Sequence, residues 1–315
     1  MTGLPLVPDR APDERPPVTV PRLAEMKRDG RPIVMITAYD FPSAQVVEEA
    51  GVDVVLVGDT AAMTVLGYES TVPVSLDEML VLARAVRRGL KTPLLVGDLP
   101  FGSYQRSSEQ AVETAVRFMK EAGCDAVKLE MAGLPGGLSD KRQSIDRVRA
   151  IVAAGIPVMG HVGLTPQSES ALGGYRTQGR SARSAVQVAD DALALQDAGC
   201  FAIVFEAVPA AVTETVVQRL RAPAIGIGAG PATDGQVLVF HDLLGMYDGH
   251  APRFVERFAE VRKEMVRGVR SYADAVRTGR FPAEQHCYSI PADELERFRE
   301  VIDPGRAWDV AEAID

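Results

Sequence analysis

The sequence predicts an α/β protein, a (β/α)₈ TIM barrel with extra helices at the carboxyl end. Short β-branched runs alternate with amphipathic segments, which is typical of a parallel sheet covered by helices. Eight such runs lie between Ile33 and Phe240, and that number favours a closed barrel over an open sheet. Several helical segments end in an Ala-Gly pair directly before a strand, where glycine can adopt the left-handed conformation that ends a helix.

The eight predicted strands are short and apolar. They are Ile33–Thr37, Val54–Val57, Leu94–Val96, Ala126–Leu129, Val158–Gly160, Ala202–Phe205, Ala224–Ile227 and Val237–Phe240. Between them, apolar residues recur at spacings of three and four, which predicts amphipathic helices. The predicted helices are Ser43–Ala50, Leu76–Leu90, Ser108–Ala122, Ile145–Ala153 and Ala185–Ala198.

The two ends of the chain differ from this pattern. Residues 1–20 are rich in Pro, Asp and Arg and are predicted to form a disordered tail, which leaves residues 21–315 as a single catalytic domain. Near the carboxyl end, apolar residues from Phe254 to Val276 recur every three or four positions and predict one long helix. We expect this helix to pack on the barrel exterior, and a subunit interface is the alternative.

Composition excludes several classes of protein. The formal net charge of −9, with Lys and Arg scattered among acids, argues against binding to nucleic acid or to an anionic membrane. No run is long and apolar enough to span a membrane, and the amino terminus has no apolar core of a signal peptide. Three cysteines without a CxxC spacing fit reduced thiols, so we expect a cytoplasmic protein without a zinc site.

Polar residues close five of the predicted strands, where further apolar residues would fill a barrel better. They are Asp59, Asp98, Glu130, His161 and Glu206. The carboxyl ends of all barrel strands meet at one face, and that face holds the active site in such enzymes. The pattern therefore predicts that these five side chains converge on one rim.

The three acids Asp59, Asp98 and Glu130 come from neighbouring strands and predict a metal site. Carboxylates this close repel one another unless a cation lies among them, and an all-oxygen set selects a hard ion such as Mg²⁺ or Mn²⁺. The alternative is that an acid caps the helix that follows it.

The other rim residues have charge or proton-transfer capacity. Lys128 lies two residues before Glu130, so both side chains share one face of the strand; a structural ion pair and a substrate-binding role are both open. His161 is interpreted as a substrate-binding residue. Glu206 lies beside apolar residues, which suits a general base better than a solvated loop acid.

Two glycine-rich segments follow strands. Gly226–Gly230 is a weak nucleotide motif, because the helix and acid of a dinucleotide fold do not follow it, and we infer no phosphate ligand. The loop Gly173–Arg180 is long, and such loops are uncommon unless they act as a lid or a binding surface. We interpret it as a lid or an oligomer contact.

The ordered motifs resemble the ketopantoate hydroxymethyltransferase family, within the barrels similar to phosphoenolpyruvate mutase and isocitrate lyase. The resemblance runs from about Pro21 to Pro291. The motifs that carry it are Val57-Gly58-Asp59-Thr60, Gly97-Asp98-Leu99-Pro100-Phe101, Val127-Lys128-Leu129-Glu130, Gly160-His161-Val162-Gly163-Leu164-Thr165-Pro166-Gln167-Ser168, Gly173-Gly174-Tyr175, Glu206-Ala207-Val208-Pro209, and Gly226–Gly230 with Thr233-Asp234-Gly235-Gln236.

The resemblance implies a magnesium enzyme that joins 2-oxoisovalerate to a one-carbon unit from 5,10-methylenetetrahydrofolate in pantothenate biosynthesis. It also implies a homo-oligomer, typically a decamer. It places the metal on Asp59, Asp98 and Glu130, and it makes Glu206 the catalytic base. The residues that it assigns to substrate binding are Asp59, Thr60, Asp98, Lys128 and His161.

One segment departs from the family pattern, and two alternatives remain. The sequence Asp59-Thr60-Ala61-Ala62-Met63 stands where Asp-Ser-Leu-Gly-Met is usual, so the hydroxyl at Thr60 is kept and a glycine is lost at Ala62. The first alternative is another magnesium-dependent 2-oxo-acid lyase or carboligase of this superfamily, which would usually carry a reactive loop cysteine. The second is a catalytically silent barrel subunit, which would be expected to have lost some of the six rim residues.

Overall fold

The structure, a computed structural model, describes residues 15–131, 141–247, 249 and 252–302. The chain divides into two units, residues 1–260 and residues 261–315. The first unit holds eight strands and the second holds the last two helices among the described residues.

The eight strands form a closed parallel barrel in sequence order, and the last strand pairs with the first, Ile33 beside Gly235. The predicted barrel is therefore confirmed. The strands are β1 (Ile33–Thr37), β2 (Val54–Val57), β3 (Leu94–Asp98), β4 (Ala126–Glu130), β5 (Val158–Gly163), β6 (Ala202–Glu206), β7 (Ala224–Ile227) and β8 (Gly235–Leu238).

Strand boundaries differ from the prediction mainly at the carboxyl ends. Strands β3, β4 and β6 continue to Asp98, Glu130 and Glu206, because these polar residues still pair in the parallel ladder. The predicted end of the last strand at Phe240 is wrong. Phe240 instead begins a short helix, and its backbone N–H donates to Thr37 Oγ1 at 2.9 Å.

The helices of the first unit begin at polar caps and several end at glycine. Asp40, Ser75 and Ser107 accept hydrogen bonds from the first turns of their helices, and Gly51 and Gly123 adopt the left-handed conformation after helix ends. The helices are α1 (Val20–Arg28), α2 (Phe41–Ala50), α3 (Ala61–Thr64), α4 (Leu76–Gly89), α5 (Ser108–Ala122), α6 (Lys141–Ala153), α7 (Glu169–Leu172), α8 (Ala182–Asp197), α9 (Ala210–Val217) and α10 (Phe240–Leu243).

Alternation along the strands produces two apolar cores. One lies inside the barrel and includes Met35, Leu94 and Met159; the other lies between barrel and helices and includes Leu95 and Phe118. Even-numbered residues of β3, β4 and β6, and odd-numbered residues of β5, point inward. The same parity places the side chains of the final polar residues on the interior face at the carboxyl end of the barrel.

In the first unit, one stretch of the barrel wall lacks a described helix between its strands. The described chain passes from Ile227 to Gly235 without a helix, and Val34, which points outward from β1, is half exposed. A groove of about 740 Å³ lies here, lined by residues including Val34, Gln236 and Phe254. Its lining combines glycines and apolar side chains with a few charged and polar ones, so its size alone does not mark it as the reaction site.

The predicted ends of the chain need correction. Most of the predicted tail, residues 1–14, lies outside the described residues, but Val18 N donates to Thr92 O at 2.8 Å and α1 begins at Val20. The tail boundary at residue 20 is therefore too late. A single catalytic domain over residues 21–315 stays a prediction.

The extra carboxyl-terminal helices are α11 (Val261–Arg277) and α12 (Ala292–Val301), and neither contains a buried residue. Helix α11 starts seven residues later than predicted, because Phe254 lies beside Gly228 and Phe258 N donates to Leu243 O at 2.8 Å. Its packing partner stays a prediction. Among the described helices, none combines the length and apolar character that a membrane span requires.

Candidate active site

The predicted rim residues surround one small cavity at the carboxyl end of the barrel. The cavity measures about 50 Å³, and Leu56, Val204 and Ile227 form part of its apolar wall. Its polar lining includes Asp59, Thr60, Asp98, Lys128, Glu130, His161 and Glu206. The structure therefore brings together all seven residues that the sequence nominated, while their roles stay predictions.

Lys128 forms a buried ion pair with Asp98 rather than with Glu130. Its Nζ lies 2.7 Å from Asp98 Oδ1 and 2.8 Å from Oδ2. Burial alone would lower the pKa of Lys128, but the carboxylates of Asp98, Glu130 and Asp59 raise it above its ordinary value. The ammonium therefore stays charged and partly neutralises the acids around it.

Asp59 is held against this pair. Its backbone N–H donates to Asp98 Oδ2 at 3.2 Å, which places the two acids side by side. Burial raises the pKa of Asp59 well above its ordinary value, and the negative charges of Asp98 and Glu130 raise it further, although Lys128 lowers it. The cluster thus carries more negative charge than one lysine balances.

His161 lies between two carboxylates. Its Nδ1 is 3.6 Å from Glu130 Oε1, and its Nε2 is 3.2 Å from Glu206 Oε2. Burial and Lys128 favour the neutral ring, but Glu130 and Glu206 outweigh them and raise the pKa of His161 to about 9. Glu206 has a side-chain exposure of 17%, so it faces the cavity rather than bulk solvent.

Thr60 and the unusual alanines form the start of α3. The Thr60 side chain makes no capping hydrogen bond to this helix, and Thr60 lines the cavity. Ala61 and Ala62 are fully buried within α3. Alanine is a better helix former than glycine, so the departure from the family pattern suits the local structure.

Sequence reasoning missed two residues that organise the acids. Gln167 is buried and contacts Asp59 and Glu130, and Tyr104 donates its hydroxyl proton to Gln167 Oε1 at 2.7 Å. Gln167 is part of a family motif, so the motif itself was an available signal. Tyr104 lies in the segment after β3 and carried no comparable signal in the sequence.

Ala207, directly after Glu206, adopts a left-handed backbone with φ of 48°. Its N–H donates to Ile227 O, and its carbonyl accepts from Gln178 N, both at 2.9 Å. Such a conformation is costly for a residue other than glycine and occurs where surrounding structure enforces it. No sequence signal predicted this strain.

The loop predicted as a lid or an oligomer contact touches both sides of the site. The Tyr175 hydroxyl lies 3.8 Å from Met63 Sδ, close to Asp59 and Thr60 in the chain. At its other end, Gln178 is bonded to Ala207, next to Glu206. These contacts fit a lid, and the role stays a prediction.

The acids suit a hard cation in their chemistry. Asp59 and Asp98 place buried carboxylates side by side, with both Asp98 oxygens also accepting from Lys128 Nζ, and Glu130 Oε1 is buried without a hydrogen-bond partner. No three His, Cys, Asp or Glu side chains of the described residues are grouped to hold a metal by themselves. Two carboxylates suffice for Mg²⁺, which commonly takes one or two from protein and completes its shell with substrate and water.

A family model described as ketopantoate hydroxymethyltransferase matches residues 17–284. The chain belongs to the ketopantoate hydroxymethyltransferase family. Among its relatives is 3-methyl-2-oxobutanoate hydroxymethyltransferase of Oleidesulfovibrio alaskensis, 50% identical over 87% of this chain and 92% of that protein. A mitochondrial enzyme of that name from Arabidopsis thaliana is 52% identical over 89% of this chain and 80% of that protein. These matches confirm the predicted family and the predicted hydroxymethyltransferase class.

Solved structures of other enzymes share the fold of this family member. Phosphonopyruvate hydrolase, crystallised with oxalate and Mg²⁺, has a TM-score of 0.57 at 16% identity, covering 91% of this chain and 99% of that one. 2,3-Dimethylmalate lyase, described as a member of the PEP mutase/isocitrate lyase superfamily, has a TM-score of 0.54 at 16% identity, covering 89% and 98%. At this identity the likeness concerns the fold alone.

Proposed function

We propose that this chain forms ketopantoate from 2-oxoisovalerate and 5,10-methylenetetrahydrofolate, with Mg²⁺ held by Asp59 and Asp98 and with Glu130 beside them. Membership of the family supports the reaction class. The observation that carries the mechanism is the position of Glu206, whose carboxylate lies 3.2 Å from His161 at the edge of the buried acid cluster. The cavity thus has a base on one side and an acidic cation site on the other.

Substrate binding follows from the charges that line the cavity. Lys128 and His161 are both held in their charged forms by neighbouring acids, because their pKa values are raised. They attract the carboxylate of a 2-oxo acid, and the Thr60 hydroxyl can donate to the same group. A cation at Asp59 and Asp98 offsets the repulsion between these acids and that anionic substrate.

Proton removal is assigned to Glu206. It takes the proton from the carbon beside the ketone, C3 of 2-oxoisovalerate, and that carbon then bonds to the one-carbon unit. The bonds from this unit to the folate nitrogens break, a water molecule supplies the hydroxyl group of the product, and tetrahydrofolate leaves. Mg²⁺, when bound, supplies Lewis-acid stabilisation of the charge that develops on the keto oxygen. His161 holds the Glu206 carboxylate in place, which matters because misplacement by about 1 Å can cost roughly a hundredfold in rate.

The test is exchange of the C3 proton of 2-oxoisovalerate with deuterated water, measured by NMR with Mg²⁺ and without folate. We expect exchange by the native protein that is abolished by EDTA. Glu206→Gln keeps the size of the side chain but removes its basic oxygen, so exchange should fall by at least about 10²-fold, the lower end for general-base catalysis. Substrate binding should persist.

Glu214→Gln is the matched control, because Glu214 is exposed on the next helix, α9. It should exchange at the native rate. Full exchange by Glu206→Gln would rule out Glu206 as the base. Exchange that is unaffected by EDTA would remove the metal from the proposal.

The superfamily lyase remains the alternative, and no observation here favours it. Cys124 and Cys200 are buried, Cys287 belongs to the second unit, and no cysteine of the described residues lines the cavity. We also propose a cytoplasmic location, supported by three unpaired cysteines. We propose a homo-oligomer, a decamer by family resemblance, that binds neither nucleic acid nor membrane; light scattering after size exclusion tests its mass.

A further inference from the structure

The side-chain amide of Gln167 makes hydrogen bonds through both its nitrogen and its oxygen. Gln167 is neither the proposed base nor one of the proposed substrate-binding residues. It lies in the 3₁₀ turn Pro166–Ser168 after β5 and has an exposure of 6%. Its Nε2 donates to Asp59 Oδ2 and to Leu99 O, both at 2.9 Å. Both amide hydrogens are therefore committed to acceptors.

The other end of the same amide is fixed by donors. Oε1 accepts from the Tyr104 hydroxyl at 2.7 Å and from Gln105 Nε2 at 3.3 Å. A flipped amide would point its hydrogens at these donors and its oxygen at the Leu99 carbonyl. The surroundings thus impose one orientation, with the nitrogen towards Asp59.

The backbone of Gln167 acts on a second acid. Its N–H donates to Glu130 Oε2 at 3.0 Å, while Glu130 Oε1 is buried without a hydrogen-bond partner. One residue therefore engages one oxygen of Asp59 and one oxygen of Glu130. Each carboxylate is thus held with a defined rotation through one oxygen. The second oxygen of Glu130, Oε1, accepts no hydrogen bond, and it lies 3.6 Å from His161 Nδ1 at the cavity.

We propose that Gln167 is a positioning residue that engages Asp59 Oδ2 and Glu130 Oε2 and thereby turns Asp59 Oδ1 and Glu130 Oε1 towards a divalent cation in the cavity. This inference rests on the proposed function, because it assigns the cation to this site. Partners that orient metal ligands typically contribute about 10- to 100-fold to metal affinity. The side chain acts on Asp59, and the backbone N–H on Glu130 survives any side-chain substitution.

The test is the affinity of the substrate-free protein for Mn²⁺, measured by electron paramagnetic resonance. Gln167→Met keeps the length of the side chain but loses the amide, so Mn²⁺ affinity should fall roughly 10- to 100-fold. Gln167→Glu keeps the acceptor for Tyr104 but points an oxygen at Asp59 Oδ2, so the loss should be larger. Tyr104→Phe leaves the amide in place with weaker orientation, and a loss of a few fold is expected.

Gln196→Met is the control for a merely structural glutamine. Gln196 accepts from the backbone of Arg221 and Ala222 at the opposite end of the barrel. The Gln196→Met variant should unfold at a lower urea midpoint without a change in Mn²⁺ affinity. In C3 exchange, Gln167→Met should recover most of its rate at saturating Mg²⁺, whereas Gln196→Met should show the native rate at every Mg²⁺ concentration.

The outcomes separate this inference from the proposed function. If the native protein binds Mn²⁺ and exchanges the C3 proton while Gln167→Met binds Mn²⁺ with native affinity, Gln167 is structural and the inference fails alone. If the native protein neither binds Mn²⁺ nor exchanges the proton, the inference and the proposed function fail together.

Discussion

Glu48 and Asp59 are both almost completely buried, at opposite ends of the barrel, yet their surroundings shift the pKa in opposite directions. Burial alone would raise the pKa of Glu48, but the N–H groups of Lys91 and Thr92, the Thr92 hydroxyl and Arg15 lower it below its ordinary value. Asp59 receives a hydrogen bond from Gln167, and burial together with neighbouring acids raises its pKa well above normal. At the amino-terminal rim, hydrogen-bond donors and Arg15 stabilise the charged form of Glu48. At the carboxyl-terminal rim, the negative charges of the neighbouring acids outweigh the positive charge of Lys128 at Asp59.

The same contrast exists along the barrel interior. Its lower layers are filled by apolar residues such as Leu94 and Met159, whereas Lys128 and Asp98 occupy the top with the same low exposure. Apolar burial stabilises the fold, but buried ionic groups cost solvation free energy that their mutual attraction only partly returns. The upper layer therefore provides a charged cavity at a cost in folding stability.

The largest effect is expected for Lys128→Met. Lys128 is the ammonium that faces Asp98, Glu130 and Asp59, so its loss leaves these buried acids without that positive charge. Removing one partner of a buried ion pair costs about 3–5 kcal/mol in the free energy of unfolding. Asp98→Asn should cost less, because Lys128 keeps Asp59 and Glu130 nearby. Urea unfolding of both variants at pH 7 measures the difference.

The exposed ion pair of Arg117 and Asp77 is the control, with 2.9 Å between Nη2 and Oδ1. Asp77→Asn should cost less than about 1 kcal/mol, as surface pairs do. A larger loss for Asp98→Asn than for Lys128→Met would contradict the idea that unbalanced negative charge is the main cost at the upper rim.

Leu94→Ala probes the apolar lower layer. Leu94 is 3% exposed inside the barrel, and truncation of a buried leucine costs about 2–5 kcal/mol. Because Leu94 lies four residues before Asp98 on β3, the folded fraction should keep its rate of C3 exchange. Calorimetry measures the loss of stability. The exchange assay, with the rate divided by the concentration of folded protein, measures the C3 exchange. A large fall in exchange would show that the two layers are not independent.

Gly97→Ala probes the wall behind the acids. A Cβ at Gly97 would lie 2.3 Å from Phe118 Cδ1 and 3.1 Å from Cys124 Sγ, so α5 would have to shift. Such overpacking costs about 1–3 kcal/mol. Gly268→Ala in α11 is the opposite case, since no atom lies within 4 Å of its Cβ position and alanine favours helix by about 1 kcal/mol. Thermal unfolding should show a lower Tm for Gly97→Ala and a higher Tm for Gly268→Ala.

The smallest effect is expected for Glu48→Gln and depends on pH. The pKa of Glu48 is lower in the folded protein than its ordinary value of 4.5, so its stabilisation is complete above that value and is lost as the pH falls through the folded pKa. The variant should lose about 1 kcal/mol at pH 7. This difference should shrink in urea titrations below about pH 4. A constant difference across pH would mean that the charge of Glu48 is not what stabilises this rim.

The barrel and its polar rim were predictable because their signals are local. Strand β1 was predicted with its observed bounds, and Asp98 and Glu206 were recognised as polar residues that close apolar strands. The start of α11 was predicted too early, because Phe254 and Phe258 keep the helical spacing while they contact other parts of the first unit. Helical spacing of apolar residues therefore does not by itself fix where a helix begins, and Phe258 and several apolar residues of α11 are exposed.

The pairing within the site could not be predicted either. Parity placed Lys128 and Glu130 on one face of β4, yet Lys128 pairs with Asp98 of β3, because register sets Asp98 directly beside Lys128. Gln167 and Tyr104 come from separate loops after β5 and β3 and meet only in the folded chain. Their hydrogen bonds depend on where two loops cross, and loop paths have no periodic signal.

The sequence by itself determined the alternation of strands and helices, the inward face of each strand and the set of charged residues at one rim, because these follow from local periodicity of two and of three to four residues. Only the tertiary structure decided the pairing of Lys128 with Asp98, the position of His161 between two acids and the hydrogen bond from Gln167 to Asp59. Barrel closure and strand register fix those contacts, and both depend on interactions between residues that are distant in the chain.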